Sequence, residues 1–192
     1  MASDAEHAGD QTDSPAMFPT LRVRGKFALI GVKSVFASAP FLAVGRIGQP
    51  QLERLSALLR QTGKAGLFRT MLIHHPAAPG SIKWRKRLTD ADGLASVIQH
   101  QGVELVLHGH AHESSLNWMT ARDAQAPVIG VGSASELNKS ATRRAQYHIY
   151  RLSMRSGRPE IIVSVREYSP EAGQFVALNS WRVDDPAAKI SA

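Results

Sequence analysis

Hydrophobic residues in the first two thirds of the chain form short continuous runs, separated by stretches with helical spacing. The runs FALIGV, FRTMLI, VELVL and APVIGV are apolar at nearly every position, which is typical of strands buried on both faces. The segment after Pro50 predicts a helix that ends at Gly63, because leucines recur there at helical spacing: Leu52, Leu55, Leu58 and Leu59. The segment LTDADGLASVIQHQG predicts a second helix, which ends before Gly102.

Other segments alternate between hydrophobic and polar residues and predict antiparallel strands. LRVRG precedes FALIGV, with a turn near Gly25 and Lys26. Near the end of the chain, QYHIYRLSM, EIIVSVREYS and QFVALNSWRV predict a meander with turns at Ser156–Pro159 and Ser169–Gly173. This order of elements predicts a mixed α/β sheet domain, in which chemistry is expected where strand ends meet loops.

The ends of the chain differ from its middle in composition. Residues 1–16 are small, polar and acidic, so we expect a disordered lead-in before a domain at residues 17–185 and a frayed tail at residues 186–192. The chain has neither a secretory signal pattern nor an apolar run of roughly 18–20 residues, so we expect a cytoplasmic protein without a membrane partner. It has no cysteine, so any metal must be bound by His, Asp, Glu or Asn.

The net charge of +7 suits an anionic partner, although solubility alone explains it equally well. The most basic stretch, KWRKR, follows the strand that ends in two histidines. We therefore expect its residues Arg85, Lys86 and Arg87 to contact a phosphate-ester substrate. Because Trp84 lies between Lys83 and Arg85, and Arg143 and Arg144 add further charge, a nucleic-acid-binding module remains an alternative. We favour it less because the loop leaves a histidine-bearing strand end.

Histidines follow two of the predicted buried strands. His110 and His112 are two residues apart, so in extended backbone their side chains point the same way at roughly 6–7 Å. His74 and His75 end another apolar strand just before Pro76. Because the carboxyl ends of parallel strands meet at one edge of a sheet, both clusters are expected to lie at the same edge. The sequence therefore predicts a histidine-based metal site there.

These segments carry a resemblance to a known family. MLIHHP, then VELVLHGHAH about 35 residues later, then VIGVGSAS resembles the C-terminal half of the calcineurin-like metallophosphoesterases, which include purple acid phosphatases and class III cyclic-nucleotide phosphodiesterases. The resemblance covers roughly residues 17–165. It implies a mixed β-sandwich flanked by helices with αββα layering, here without its N-terminal strands. It also implies metal-dependent hydrolysis of phosphate mono- or diesters at a dinuclear centre.

The resemblance also implies roles for individual histidines. His74 and His110 would bind one metal and His112 the other, whereas His108 is not a ligand in the family pattern. His75 would contact a ligand or the substrate and is the candidate catalytic residue. Imidazole ligands suit Mn, Fe, Zn or Ni, so the identity of the divalent metal ions stays open.

Three motifs of the family are not found in the sequence: Asp-x-His, Gly-Asn-His, and a Gly-Asp-x-x-Asp that follows a buried strand. Residues 9–13 spell the last motif, but only polar sequence precedes them. We therefore expect a truncated chain that binds at most one metal ion and is a poor or inactive catalyst. A non-catalytic metal- or phosphate-binding remnant is the main alternative. We also expect Phe27–Val32 to present an unpaired edge, which would make the chain marginally stable and prone to aggregate.

Overall fold

The structure is a computed structural model that describes residues 17–36, 43–78, 80–122, 124–135, 144–155 and 158–183. The predicted lead-in and tail lie outside these residues. The first sheet contains six strands: β1 (Thr20–Arg24), β2 (Phe27–Val32), β3 (Phe68–Ile73), β4 (Leu105–His108), β5 (Ser115–Ala121) and β6 (Ala124–Gly130). The two helices are α1 (Gln49–Lys64) and α2 (Ala91–Gln101). The second sheet contains β7 (Gln146–Arg155), β8 (Arg158–Ser169) and β9 (Gln174–Arg182).

The order of strands in the first sheet is β1-β2-β3-β4-β6-β5. Strands β2, β3, β4 and β6 are parallel, and β1 and β5 pair with them in the antiparallel direction at the two edges. The predicted strands and both predicted helices are confirmed. Strand β5 was not predicted, because only Met119 and Ala121 along it are buried and the polar Ser115 and Asn117 hide the alternation.

The expectation that Phe27–Val32 presents an unpaired edge is wrong. This strand, β2, pairs with β1 on one side and with β3 on the other. The turn at Gly25, which has a φ of 55°, returns the chain so that the preceding strand covers β2. Strand β1 is the edge instead, and Arg22 and Arg24 place charges on it, which disfavours pairing with other chains.

The helices pack against one face of the six-stranded sheet. Their fully buried side chains contact a row of aliphatic residues from the parallel strands; the largest in this cluster are Ile30, Leu55, Leu59, Met71, Leu94 and Ile98. None of the described helices is long and apolar enough to cross a membrane. Burial of such a row supplies the main stabilising term for this half of the molecule.

The three-stranded sheet covers part of the opposite face. Val163 and Val165 of β8 belong to one cluster with Phe68, Leu105 and Ile129 from the first sheet. The predicted mixed α/β sandwich is therefore confirmed. Of the predicted αββα layers, the described residues form three: the helices, the first sheet and the second sheet.

A buried ion pair joins both helices to the sheet. The Arg69 side chain of β3 donates from Nε and Nη2 to the two carboxylate oxygens of Glu104, at 2.9 and 2.5 Å. Its Nη1 donates to the backbone oxygens of Leu59 in α1 and Gln101 in α2, at 3.1 and 2.8 Å. Arg69 is only 8% exposed, so its charge depends on these partners.

Replacing Glu104 with Ala leaves the Arg69 guanidinium buried without its counter-ion. We expect Glu104→Ala to lower the free energy of unfolding by about 3 kcal/mol, measured by chemical denaturation. Glu53→Ala is the control, because Glu53 lies exposed on α1 and accepts a hydrogen bond from the exposed Gln49. Equal unfolding free energies for the two variants would contradict this account of Arg69.

The second sheet contains a partly buried imidazole, His148, whose protonation weakens the fold. Burial lowers the pKa of His148 from 6.5 to about 4. Between these two values the unfolded chain binds the proton and the folded chain does not, so stability falls as the pH falls through this window. We expect a loss of about 3 kcal/mol between pH 7 and pH 4 from this residue. Denaturation at both pH values measures it, and a His148→Gln variant with undiminished pH dependence would refute the assignment.

Candidate metal centre

The register between two parallel strands brings the predicted histidines together. Strands β3 and β4 are neighbours, and Ile73 is the partner of His108 at their carboxyl ends. Just beyond the last pair, the backbone N–H of Gly109 donates to the carbonyl of His74 at 3.2 Å. The segments that follow β3 and β4 therefore run side by side, and His74 lies next to His110.

The imidazoles of His74 and His110 are at a separation that suits metal chelation. Nε2 of His74 lies 3.1 Å from Nδ1 of His110. Two nitrogens bound to one zinc ion at about 2.0–2.1 Å, with tetrahedral or octahedral angles, lie roughly 2.9–3.4 Å apart. The same distance suits a hydrogen bond between two neutral imidazoles, so the two nitrogens are held at a chelating separation without a metal ion.

His110 is held in a conformation and charge state that favour ligation. Its φ of 65° lies in the left-handed region. Among the described residues, no group lies in good hydrogen-bond geometry to its buried Nε2. Burial lowers the pKa of His110, and the neighbouring His74 and Lys86 lower it further, against a smaller raising effect of the Ala43 carbonyl. The neutral imidazole, which is the form that binds metals, is therefore favoured.

His75 lies against this pair with both of its ring nitrogens engaged. The Ser34 hydroxyl donates to Nδ1 at 2.9 Å, and Nε2–H donates to the carbonyl of Ala43 at 3.3 Å. Gly45 packs so closely on the ring that a β-carbon there would collide with it. Burial lowers the pKa of His75 to about 4, so this imidazole is neutral at pH 7.

Because both ring nitrogens of His75 make hydrogen bonds, its ability to coordinate a metal ion is limited. The ligand atoms of His74, His75 and His110 all lie within 4.8 Å of one another. Coordination by His75 would nevertheless cost one of its two hydrogen bonds. Its geometry suits a wall of the site, in keeping with its predicted contact to a ligand or the substrate, a role that stays a prediction.

Two further histidines, one at the end of β4 and one in the loop that follows it, lie outside this group of three. His112 is exposed and has a φ of 56°, and its predicted role as a ligand of the second metal stays a prediction. His108 is 5% exposed, and its ring covers Gly130, where a β-carbon would lie 2.7 Å from the imidazole. Among the described residues, the group of three contains imidazoles only, with no carboxylate.

The basic loop is attached to the same site through its backbone. Trp84–Lys86 form a short 3-10 turn, and the backbone N–H of Ala43 donates to the carbonyl of Arg85 at 3.0 Å. The charge of Lys86 reaches His110, whose pKa it lowers. By contrast, the guanidinium of Arg85 lies 5.3 Å from the Trp84 ring, and Arg87 donates to the Trp84 carbonyl at 3.1 Å. Of the three predicted substrate contacts, Lys86 is the one whose charge acts on the histidines.

The residues that support His75 were not predicted from the sequence. Ser34 and the segment from Ala43 to Gly45 carry no recognisable motif. Ser34 nevertheless follows β2 by two residues, at the same carboxyl edge as the histidines. A polar residue after a buried strand was therefore the available signal.

Comparison with known proteins adds information on the fold. No protein-family model and no curated protein matches the chain. Among solved structures, a dimetal phosphatase from Danio rerio is 16% identical, with a TM-score of 0.51, and the match covers 64% of this chain and 36% of that chain. A double mutant of Vps29 from Entamoeba histolytica is 13% identical over 78% of this chain and 97% of that chain, but its TM-score of 0.30 carries no argument.

The similarity to the phosphatase concerns the fold alone. The described sheets and helices form a metallophosphoesterase-like α/β sandwich. The match spans about a third of the phosphatase's length. The cluster of His74, His75 and His110 lies at the carboxyl edge of this sheet, where ligands bind in open α/β sheets.

If His74 and His110 are ligands, removing either imidazole must weaken metal binding. We expect His74→Ala and His110→Ala each to lower the affinity for Mn²⁺ or Zn²⁺ by more than about tenfold. Mutation of a residue that merely hydrogen-bonds to a metal ligand already lowers metal affinity by about that factor. Isothermal titration measures the affinity. His100→Ala is the control, since His100 is exposed near the end of α2 and bonds to Ser96. Undiminished binding in the His74→Ala/His110→Ala double variant would exclude this site, and a matching loss in His112→Ala would add His112 to the ligands.

Proposed function

We propose that this chain binds one divalent cation through His74 and His110, and uses it to bind and hydrolyse phosphate mono- or diesters of small molecules. The observation that carries the proposal is the 3.1 Å approach of the two imidazoles at the carboxyl edge of a metallophosphoesterase-like sheet. The similar dimetal phosphatase supports a phosphoryl substrate, and the sequence motifs around both histidines agree with it.

Each residue of the site has a separate role in the proposed reaction. When bound, a divalent cation polarises the phosphoryl group and lowers the pKa of a water molecule. His74 and His110 hold the ion, and burial keeps the pKa of His110 low so that its nitrogen is available. His75 stays neutral and fixed by Ser34, and it forms a rigid wall beside the substrate. Lys86 supplies a positive charge that attracts the phosphate.

One ion is the expected stoichiometry for the described residues. Two cations close together are usually bridged by a carboxylate, whereas the histidine group contains none among the described residues. Neutral imidazoles do not offset the repulsion between two divalent charges. A site with few imidazole ligands and open positions is suited to a single Mn, Fe, Zn or Ni ion.

The same lack of carboxylate favours a second candidate function. Among the described residues, the histidine group offers no carboxylate to assist proton transfer, and both nitrogens of His75 are engaged. The chain would then bind a metal and a phosphate ester without turning it over. This candidate shares the ligand and differs only in the chemical step.

Hydrolysis of bis(4-nitrophenyl) phosphate and 4-nitrophenyl phosphate with added Mn²⁺ tests the proposal. We expect turnover that depends on Mn²⁺ and is lost in the His74→Ala/His110→Ala double variant. Lys86→Ala should raise KM more than it lowers kcat, because its charge acts on binding of the phosphate. Arg24→Ala is the matched control, because Arg24 lies exposed at the end of the edge strand β1 and its loss removes the same charge.

The outcomes separate the two candidates. Metal-dependent binding of the phosphodiester without turnover supports the non-catalytic candidate and contradicts hydrolysis. Turnover that survives the double variant shows that the activity does not belong to this site. A chain that binds neither metal nor phosphodiester contradicts both candidates.

A further inference from the structure

The loop that carries the metal histidines has a strained backbone. We call residues His110–Ser114 the histidine loop. His110 and His112 have φ values of 65° and 56°, in the left-handed region that residues other than glycine rarely adopt. Such conformations cost on the order of 1–3 kcal/mol each and persist only where the surroundings hold them. Something outside the loop must therefore stabilise it.

Contacts from the second sheet reach the end of this loop. The Ser114 hydroxyl donates to Oε1 of Gln146 in β7, at 2.8 Å. Nε2 of His148 lies 3.5 Å from the same hydroxyl oxygen, at the limit of a hydrogen bond. The histidine loop is thus attached to the first two inward-facing polar residues of β7, on the sheet that packs against the first one.

The Gln146 side chain is itself fixed in one orientation. Its Nε2 donates to Oε2 of Glu167 at 2.8 Å, and a carboxylate only accepts hydrogen bonds. Oε1 of Gln146 must therefore face Ser114. The backbone N–H of Gln146 also donates to the carbonyl of Ser133 at 3.1 Å, in the segment that follows β6.

Glu167 is held from the other side by a cation. Nη1 of Arg144 lies 3.5 Å from Oε1 of Glu167, and Glu167 is the partner of Gln146 in the β7–β8 register. The side chain of Glu167 is 14% exposed, so its bond to Gln146 is shielded from water. The Glu167 carboxylate thus accepts from Arg144 on one side and from Gln146 on the other, and Gln146 in turn accepts from Ser114.

We propose that Gln146, acting through Ser114, is a positioning residue that holds the histidine loop in the strained conformation in which His110 meets His74. The inference rests on the proposed function, because its consequence is metal affinity. The hydrogen bonds at Ser114 offset part of the strain in the loop. In their absence the loop relaxes toward ordinary φ values, and the His110 imidazole moves away from His74.

An alternative is that these bonds only stabilise the second sheet. The two roles predict different measurements. A positioning role changes metal affinity at constant global stability, whereas a purely structural role changes the melting temperature and leaves the affinity of the folded protein intact. Removing one hydroxyl group from Ser114 perturbs the packing little, which makes it the sharpest probe.

The test is a titration of the metal-free full chain with Co²⁺, in which visible absorption and calorimetry monitor binding. We expect Ser114→Ala to weaken Co²⁺ binding by about 2- to 13-fold, which corresponds to the usual worth of one hydrogen bond. Gln146→Leu should weaken it at least as much and alter the Co²⁺ spectrum. Ser114→Thr keeps the hydroxyl and should bind Co²⁺ like the unmodified chain.

Ser164→Ala is the matched control. Ser164 lies on β8 between the buried Val163 and Val165, so it faces away from the core, and its hydroxyl bonds to that of Ser180 at 3.1 Å. We expect its Co²⁺ affinity to be unchanged and the melting temperatures of the metal-free Ser114→Ala and Ser164→Ala proteins to agree within a few degrees.

Each remaining outcome overturns the inference in a recognisable way. If the unmodified chain binds Co²⁺ and Ser114→Ala and Gln146→Leu bind it equally well, the positioning role is refuted while the proposed metal site stands. If Ser164→Ala loses as much affinity as Ser114→Ala, the effect is one of general stability. If the unmodified chain binds no Co²⁺, both the inference and the proposed function fail.

Discussion

The parallel pairing of β3 with β4 is the constraint on which the candidate site depends. Because Ile73 lies opposite His108, the two strands end at the same height and their exits share one edge of the sheet. The bond from Gly109 N–H to the His74 carbonyl extends this register by one step into the loops. A shift of either strand by one residue would turn its side chains to the other face and separate the histidines. The proposed metal site therefore depends on the register of the two strands as well as on the individual side chains.

The rest of the fold keeps that register rigid. On one face, α1 and α2 cover the strands, and the guanidinium of Arg69 ties the ends of both helices to β3. On the other face, the second sheet packs over Phe68, Leu105 and Ile129 and also reaches the histidine loop through Gln146. The strained residues His110 and His112 follow β4 and precede Ser114, which the second sheet holds. The positions of the histidines therefore depend on both layers of the sandwich.

Much of this arrangement was predictable from local sequence patterns. The continuous apolar runs predicted the buried parallel strands, the leucine spacing predicted α1, and strand-end histidines predicted a shared edge. Features that depend on contacts between residues distant in sequence could not be predicted in this way. Strand β5 was missed because its burial is set by α2 and β6 rather than by its own alternation, and the edge expected at Phe27–Val32 is covered by β1. Neither the engagement of both nitrogens of His75 nor the bond from Ser114 to Gln146 has a signature in sequence, since each joins residues more than 30 positions apart.

The central claim is that a single divalent ion is bound through the imidazoles of His74 and His110. X-ray absorption spectroscopy of the Zn²⁺-loaded chain tests it most directly, because the extended fine structure reports ligand type and any neighbouring metal. We predict one zinc per chain, a coordination shell of nitrogen and oxygen atoms at about 2.0–2.1 Å, and the multiple-scattering pattern of two imidazoles. A spectrum without imidazole scattering, or one with a second metal at about 3.5–4 Å, would contradict it.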